Sequence, residues 1–186
     1  MANPSHLRDI HQGMVTSAQG SKLGSRDGFF PGTDWRTGEI QPDGPKTGFS
    51  GDGKVPAARF CQMLNGNYFT PDYLIHPADF TKVDAVPNAE GDYERLSTSN
   101  FSFAVLALPG TNHERSEWSE THNTNAIVLS DRAIGTHAGD ISSVLTEPGS
   151  GVWRGGVVRN DNSVSFEDQH TFAETQYGGG QVNPTD

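Results

Sequence analysis

Apolar side chains recur at helical spacing near the amino terminus of the chain. Pro4 suits the first position of a helix, and Gly20 is a residue type at which helices commonly end. The pattern therefore predicts an amphipathic helix over residues 4–19. The positions that share its apolar face are Leu7, Ile10, Met14, Val15 and Ala18.

A second helical pattern covers residues 56–66. Pro56 opens it and Asn65-Gly66 closes it. Its inward positions are Ala57, Phe60, Cys61 and Leu64. A short helical element should follow Thr70, because a proline and an acidic residue come next, and Pro77 limits it to one or two turns.

The second half of the chain is rich in β-prone runs. Residues 101–108 form one apolar run, which Pro109-Gly110 ends, and residues 126–129 form a short buried strand that ends at Ser130. Residues 152–159 and 163–167 flank Asn160, Asp161 and Asn162, which are residue types that tolerate left-handed backbone. The chain should therefore contain about four strands, the last two joined as a hairpin.

The register of this hairpin follows from its turn. If the turn spans residues 160–162, Val158 faces Val164 and Gly156 faces Phe166. The ribbon then has one apolar side, and we expect its other side to be mostly polar and solvated.

The order of these elements predicts an α+β fold in one domain. We expect the N-terminal helix to pack on a small antiparallel sheet of about four strands, with many loops. The predicted segments are the helix in residues 1–20, a long loop in 21–54, a head in 55–176 and an extended tail in 177–186.

Composition narrows the classes of partner. The 186 residues carry 23 acidic and 13 basic side chains, a net charge of −10, which argues against nucleic acid or an anionic membrane surface as a partner. Cys61 is the single cysteine, so no disulfide forms within the chain.

The patterns that suggest catalysis are incomplete. Residues 48–54 match much of a phosphate-binding loop, but Val55 stands where a magnesium-binding Ser or Thr belongs. His113 and Glu114 suggest a zinc protease helix, but Glu117 replaces the second histidine. We therefore expect no enzymatic activity; a hydrolase with dispersed catalytic residues has no positive feature in its favour.

Two binding hypotheses remain. Asp131, Asn160, Asp161 and Asn162 supply hard oxygen ligands on adjacent loops that would suit calcium, although turn formation explains the same residues. Trp118 and Trp153 would serve as stacking platforms for sugar rings if they were exposed, whereas burial in the core is the ordinary alternative for tryptophan.

Several segments, taken in order, resemble the bacterial type IV pilin-like and type II secretion major-pseudopilin-like family. The resemblance extends over nearly the whole chain, although each motif alone is weakly specific. The segments that carry it are residues 6–15, 28–32, 67–79, 101–107, 128–132, 153–167, 174–178 and 183–184.

This resemblance implies a long helix on an antiparallel sheet and a structural role. In such families the hydrophobic first half of the helix anchors the subunit in the inner membrane and then packs in a filament. Residues 1–5 stand in place of that half here, so we expect membrane contact only through a segment that this sequence lacks. The chain would then be the soluble head of a longer precursor, which we favour, or a divergent protein that has left the filament.

The sequence thus predicts a non-enzymatic pilin- or pseudopilin-like subunit in the cell envelope, periplasmic or extracellular. Its expected partners are like or related subunits, and calcium in the C-terminal loops of some relatives adds support to the calcium hypothesis. The alternative is a secreted soluble module that binds carbohydrate or another ligand.

Overall fold

The computed structural model describes residues 4–20, 28–33, 55–106, 108, 118–120, 123–137 and 139–170. Most of the predicted loop 21–54 and all of the predicted tail 177–186 lie outside these residues. The phosphate-loop pattern at 48–54 and His113, Glu114 and Glu117 also lie outside them.

The helices lie where the sequence predicts them. Helix α1 spans Pro4–Gly20 and helix α2 spans Pro56–Asn65. A single 3-10 turn follows at Pro71–Leu74 and leads the chain toward the sheet. None of the described helices has both the length and the apolar character needed to cross a bilayer.

One antiparallel sheet contains the described strands in sequential order. Strand β1 spans Phe103–Val105, β2 spans Ile127–Asp131, β3 spans Gly155–Arg159 and β4 spans Val164–Glu167. Neighbours in sequence are neighbours in the sheet, which runs β1-β2-β3-β4. The prediction of an α+β fold with a helix and a four-stranded antiparallel sheet is confirmed.

The strand boundaries differ from the prediction in several places, and β3 begins at Gly155, three residues after the start of the predicted run 152–159. In the described part of the apolar run 101–108, strand β1 is three residues long, and its partners in β2 run from Asp131 to Leu129. Strand β2 continues two residues beyond the predicted end at Leu129, because Ser130 and Asp131 pair with Ala104 and Phe103. Polar residues remain in a strand when a partner strand satisfies their backbone groups.

The hairpin has the predicted register. Val158 pairs with Val164 and Gly156 pairs with Phe166. Asn162 has a φ of 66°, a left-handed conformation that asparagine tolerates better than most residues. The Asn162 amide donates to the Arg159 carbonyl over 2.9 Å and closes the turn.

Helix α1 lies on the face of the sheet that carries Gly156 and Val158. A Cβ on Gly156 would stand 2.5 Å from Cδ1 of Leu7, so the helix approaches β3 through the missing side chain. Leu7, Ile10 and Val158 are fully buried in the main core. The apolar stripe of α1 therefore covers one face of the sheet.

The opposite face of β3 is not solvated, and the expectation of a mostly polar second side is wrong for this strand. Val157 is fully buried and packs with Trp153 and Ile141 in a second, smaller core cluster. The polar expectation holds for β4, where Ser165 and Glu167 bond to each other and Arg159 contacts both. Loops cover β3 from behind, which alternation within the hairpin does not reveal.

Replacing Ile10 with alanine should lower the free energy of unfolding by about 2–5 kcal/mol, because it removes a fully buried side chain and leaves a cavity between α1 and the sheet. Urea unfolding monitored by circular dichroism measures this loss. The matched control is Arg8→Ala on the exposed side of α1, which should change stability by no more than about 0.5 kcal/mol. Equal losses in the two variants would contradict the described packing.

Candidate functional site

Asp131, the first of the predicted calcium ligands, is buried at the end of β2. Its Oδ2 accepts a hydrogen bond of 2.7 Å from the Gly156 amide, while Oδ1 has no partner among the described residues. Burial raises the pKa of Asp131 to about 6, against a smaller lowering effect of the Gly156 bond. This carboxyl group therefore links two strands in a poorly solvated place.

The other three predicted ligands form the hairpin tip, which packs against α1. Nδ1 of the buried His11 donates to Oδ1 of Asn162 over 3.0 Å. Asn160 donates from its side-chain amide to the Ser119 carbonyl, and Oδ1 of Asp161 accepts a 2.8 Å bond from the Ser163 amide. These contacts fix the conformation of the turn.

The structure does not bring the four predicted ligands together. The backbone N–H of Asn160 donates to the carbonyl of Ala126, the residue directly before β2. Asp131 lies beside Gly156, at the other end of β2. Asn160 lies four positions after Gly156 along the chain, about 13 Å at the rise of a strand. Because calcium holds its ligands at about 2.3–2.6 Å, one ion does not reach both Asp131 and Asn160. The prediction of one calcium site shared by all four residues is therefore wrong.

Calcium bound by the tip residues alone stays a prediction. Among the described residues, no group of three or more His, Cys, Asp or Glu side chains is arranged to hold a metal ion. Asn160 retains a buried Oδ1 that lacks a hydrogen-bond partner in the described part of the chain.

Trp118, the first predicted stacking platform, is a core residue and only 1% exposed. Its Nε1 donates to the Pro31 carbonyl over 2.9 Å, and its ring meets Phe30 edge-on with centroids 5.3 Å apart. The guanidinium of buried Arg59 lies 4.8 Å from the ring centroid. A sugar ring finds no open face here, so the platform hypothesis is wrong for Trp118.

Trp153, the second predicted platform, is 3% exposed and covers the back of the sheet. A Cβ on Gly155 would stand 2.7 Å from Cζ2 of this ring, so the indole lies close against the glycine backbone. Burial also rules out stacking on Trp153, and the ordinary alternative of a core tryptophan describes both residues.

An open groove lies on the side of α1 next to the chain segment 67–73. It encloses about 610 Å³, within the range of small-molecule sites. The residues that α1 contributes to the groove are spaced by three and four positions, so they lie on one side of the helix. They form a stripe beside the apolar stripe that packs on the sheet. These positions are Asp9, Gln12, Gly13 and Thr16.

The other wall of the groove is aromatic. Tyr68, Phe69 and Tyr73 line it, accompanied by Asn67 and Thr70. All three rings are half-buried, so each keeps part of its surface accessible. The groove thus combines aromatic surface with carboxylate, amide and hydroxyl groups.

The residues of this groove were not predicted from the sequence, because the candidate ligand-binding residues were tryptophans and acidic loop residues, and the pattern of α1 predicts only core positions. The available signal was the stripe at positions 9, 12, 13 and 16, which is polar or small throughout. The aromatic residues at 68, 69 and 73, set among polar ones, were the second signal.

Comparison of the chain with protein-family models, with characterised proteins and with solved structures finds no match.

His11 should make the fold sensitive to acid. Burial lowers the pKa of His11 below its ordinary 6.5, although Asn162, Asn160 and Asp161 favour the charged form. As the pH falls, His11 is therefore protonated at a higher pH in the unfolded chain than in the folded one. The stability that neutral His11 contributes is complete above pH 6.5 and declines below it. His11→Gln should lose less stability than the wild type between pH 7 and pH 5, measured by urea unfolding. A steeper acid loss in the variant would contradict this account.

Asp131 should have the opposite effect. Its folded pKa of about 6 lies above the ordinary 3.8, so the folded state takes up a proton first and gains stability as pH falls from about 6 toward 3.8. Asp131→Asn removes that gain and also the cost of a buried charge at neutral pH. We expect the variant to be more stable than the wild type at pH 7 and to lose more stability on acidification to pH 4.5. Urea unfolding of the variant and the wild type from pH 7 to pH 4.5 tests it. If Asp131→Asn loses less stability than the wild type on acidification, as expected for His11→Gln, the assignment is refuted.

Proposed function

We propose that the chain is the head of a structural, non-enzymatic subunit of the pilin-like or pseudopilin-like class. Its place would be a surface filament or a secretion-system pseudopilus in the cell envelope, periplasmic or extracellular. Like or related subunits would be its partners.

The observation that carries this proposal is the seating of α1 on the sheet. The helix lays an apolar stripe, from Leu7 to Ala18, across one face of a sequential four-stranded antiparallel sheet. This arrangement agrees with the order of segments that resembles the pilin-like family.

The buried polar groups between the 3-10 turn and β1 favour a structural role for this part of the molecule. Ser102 donates to Oδ2 of Asp79 over 2.9 Å and Thr81 donates to Oδ1 over 2.6 Å, so both carboxylate oxygens are engaged in holding loops. Nδ1 of buried His76 accepts a 3.0 Å bond from the Ala78 amide. Each of these contacts fixes the chain between the 3-10 turn and β1.

The proposal predicts where the native protein is found. In cells that express the gene from its own locus, an antibody against residues 55–106 should detect the protein in the envelope or in material sheared from the surface, with a cytosolic enzyme as the fractionation control. Mass spectrometry of its amino terminus should find a processed end upstream of Pro4, followed by a hydrophobic segment. Recovery in the cytosol alone, with Met1 as the mature amino terminus, would refute the proposal.

A further inference from the structure

We propose that the groove between α1 and residues 67–73 binds a neutral saccharide. This inference goes beyond the filament role and does not rest on it. It also differs from the tryptophan platforms considered from the sequence, since neither Trp118 nor Trp153 lines the groove.

The aromatic wall supplies the surface on which a sugar ring stacks. Tyr68 and Tyr73 combine an apolar ring with a polar hydroxyl, which suits a ligand that has apolar faces and a hydroxylated rim. Both rings keep accessible surface in a groove of about 610 Å³, large enough for a short oligosaccharide.

The helix wall supplies hydrogen-bonding groups of the matching kind. Asp9 and Gln12 are exposed, as is Asn67 across the groove, and no hydrogen bond to another described residue engages their side chains. A carboxylate accepts hydrogen bonds from sugar hydroxyls, while amides both donate and accept. Asp9 and the net charge of −10 disfavour acidic sugars, which makes a neutral saccharide the better fit.

The walls are held in place from behind, so the groove is preformed. The Tyr68 ring lies over Gly66 so closely that a Cβ there would overlap it, and Asn67 makes this reversal with a φ of 55°. The Tyr73 ring lies with its centroid 5.0 Å from that of His6, whose Nδ1 donates to the Ile75 carbonyl over 3.2 Å. Rings that are already fixed lose little conformational freedom on binding.

Gly13 sets the width of the groove on the helix side. A Cβ at this position would stand 3.2 Å from Cε of Met63 and 3.3 Å from Cδ1 of Phe69, so α1 and the aromatic segment are in close contact there. The groove floor is therefore tight, and its opening lies between Asp9, Gln12 and Thr16 on one side and the tyrosines on the other.

Isothermal titration of the full chain with cellotriose, maltotriose and N,N′,N″-triacetylchitotriose tests the proposal. At least one of these probes should bind at millimolar concentration or below. Tyr73→Ala should weaken that binding about tenfold, equivalent to about 1.4 kcal/mol. Tyr73→Phe keeps the ring and should weaken it less, while Asp9→Asn should weaken it through the lost acceptor charge.

The matched control is Phe80→Ala, which removes an aromatic ring that is 92% exposed and outside the groove. It should leave the affinity unchanged. Amide chemical-shift changes on adding the binding probe should centre on Gln12, Gly13 and Asn67, which tests the location even if Tyr73→Ala fails to fold. No binding of any probe, an equal loss in Phe80→Ala, or shift changes away from the groove would overturn the proposal. None of these outcomes alters the fractionation result for the native protein.

Discussion

The close approach of α1 to β3 is the contact on which the rest of the structure depends. Gly156 has no side chain, and the end of the Leu7 side chain occupies the space above it; a Cβ there would stand 2.5 Å from Cδ1 of Leu7, which would have to move. With the helix this close, Ile10 and Val158 share one dry core. Helix α1 also contacts the 3-10 turn and both strands of the hairpin, so its packing joins elements that are far apart in sequence.

The packing of α1 on the sheet encloses two titratable side chains in the interior. His11 lies on the buried side of α1 and meets the hairpin tip, where Asn162 satisfies one ring nitrogen and no described group satisfies the other. Asp131 is in a similar position at the other end of β2, with one oxygen bonded to the Gly156 amide and one without a described partner. Burial disfavours the charged form of both groups, and because one is a base and the other an acid, their contributions to stability respond to pH with opposite signs.

Local patterns were sufficient to predict the helices and the hairpin. Apolar spacing placed α1, and turn chemistry at Asn160–Asn162 fixed the pairing of Val158 with Val164, because alternation leaves one register once the turn is known. What could not be predicted depends on contacts that are distant in sequence. Trp118 is buried against Phe30 and donates its N–H to the carbonyl of Pro31, 87 residues away, and no spacing rule reveals these contacts. The wrong expectation for Val157 has the same origin, since Trp153 and Ile141 come from outside the hairpin.

The groove and the core are coupled by the geometry of a single helix. The apolar stripe of α1 fixes the rotation of the helix, and that rotation places Asp9, Gln12 and Thr16 toward the aromatic segment. The surface available for a ligand is therefore on the exposed side of the helix, and its use under the proposed filament role depends on which surface the subunits bury. If assembly covers this side of α1, saccharide and subunit compete for it, and sugar binding belongs to the unassembled head or to an exposed end of the filament. If assembly uses another surface, every subunit presents the groove, and binding then gains from the many copies along the filament.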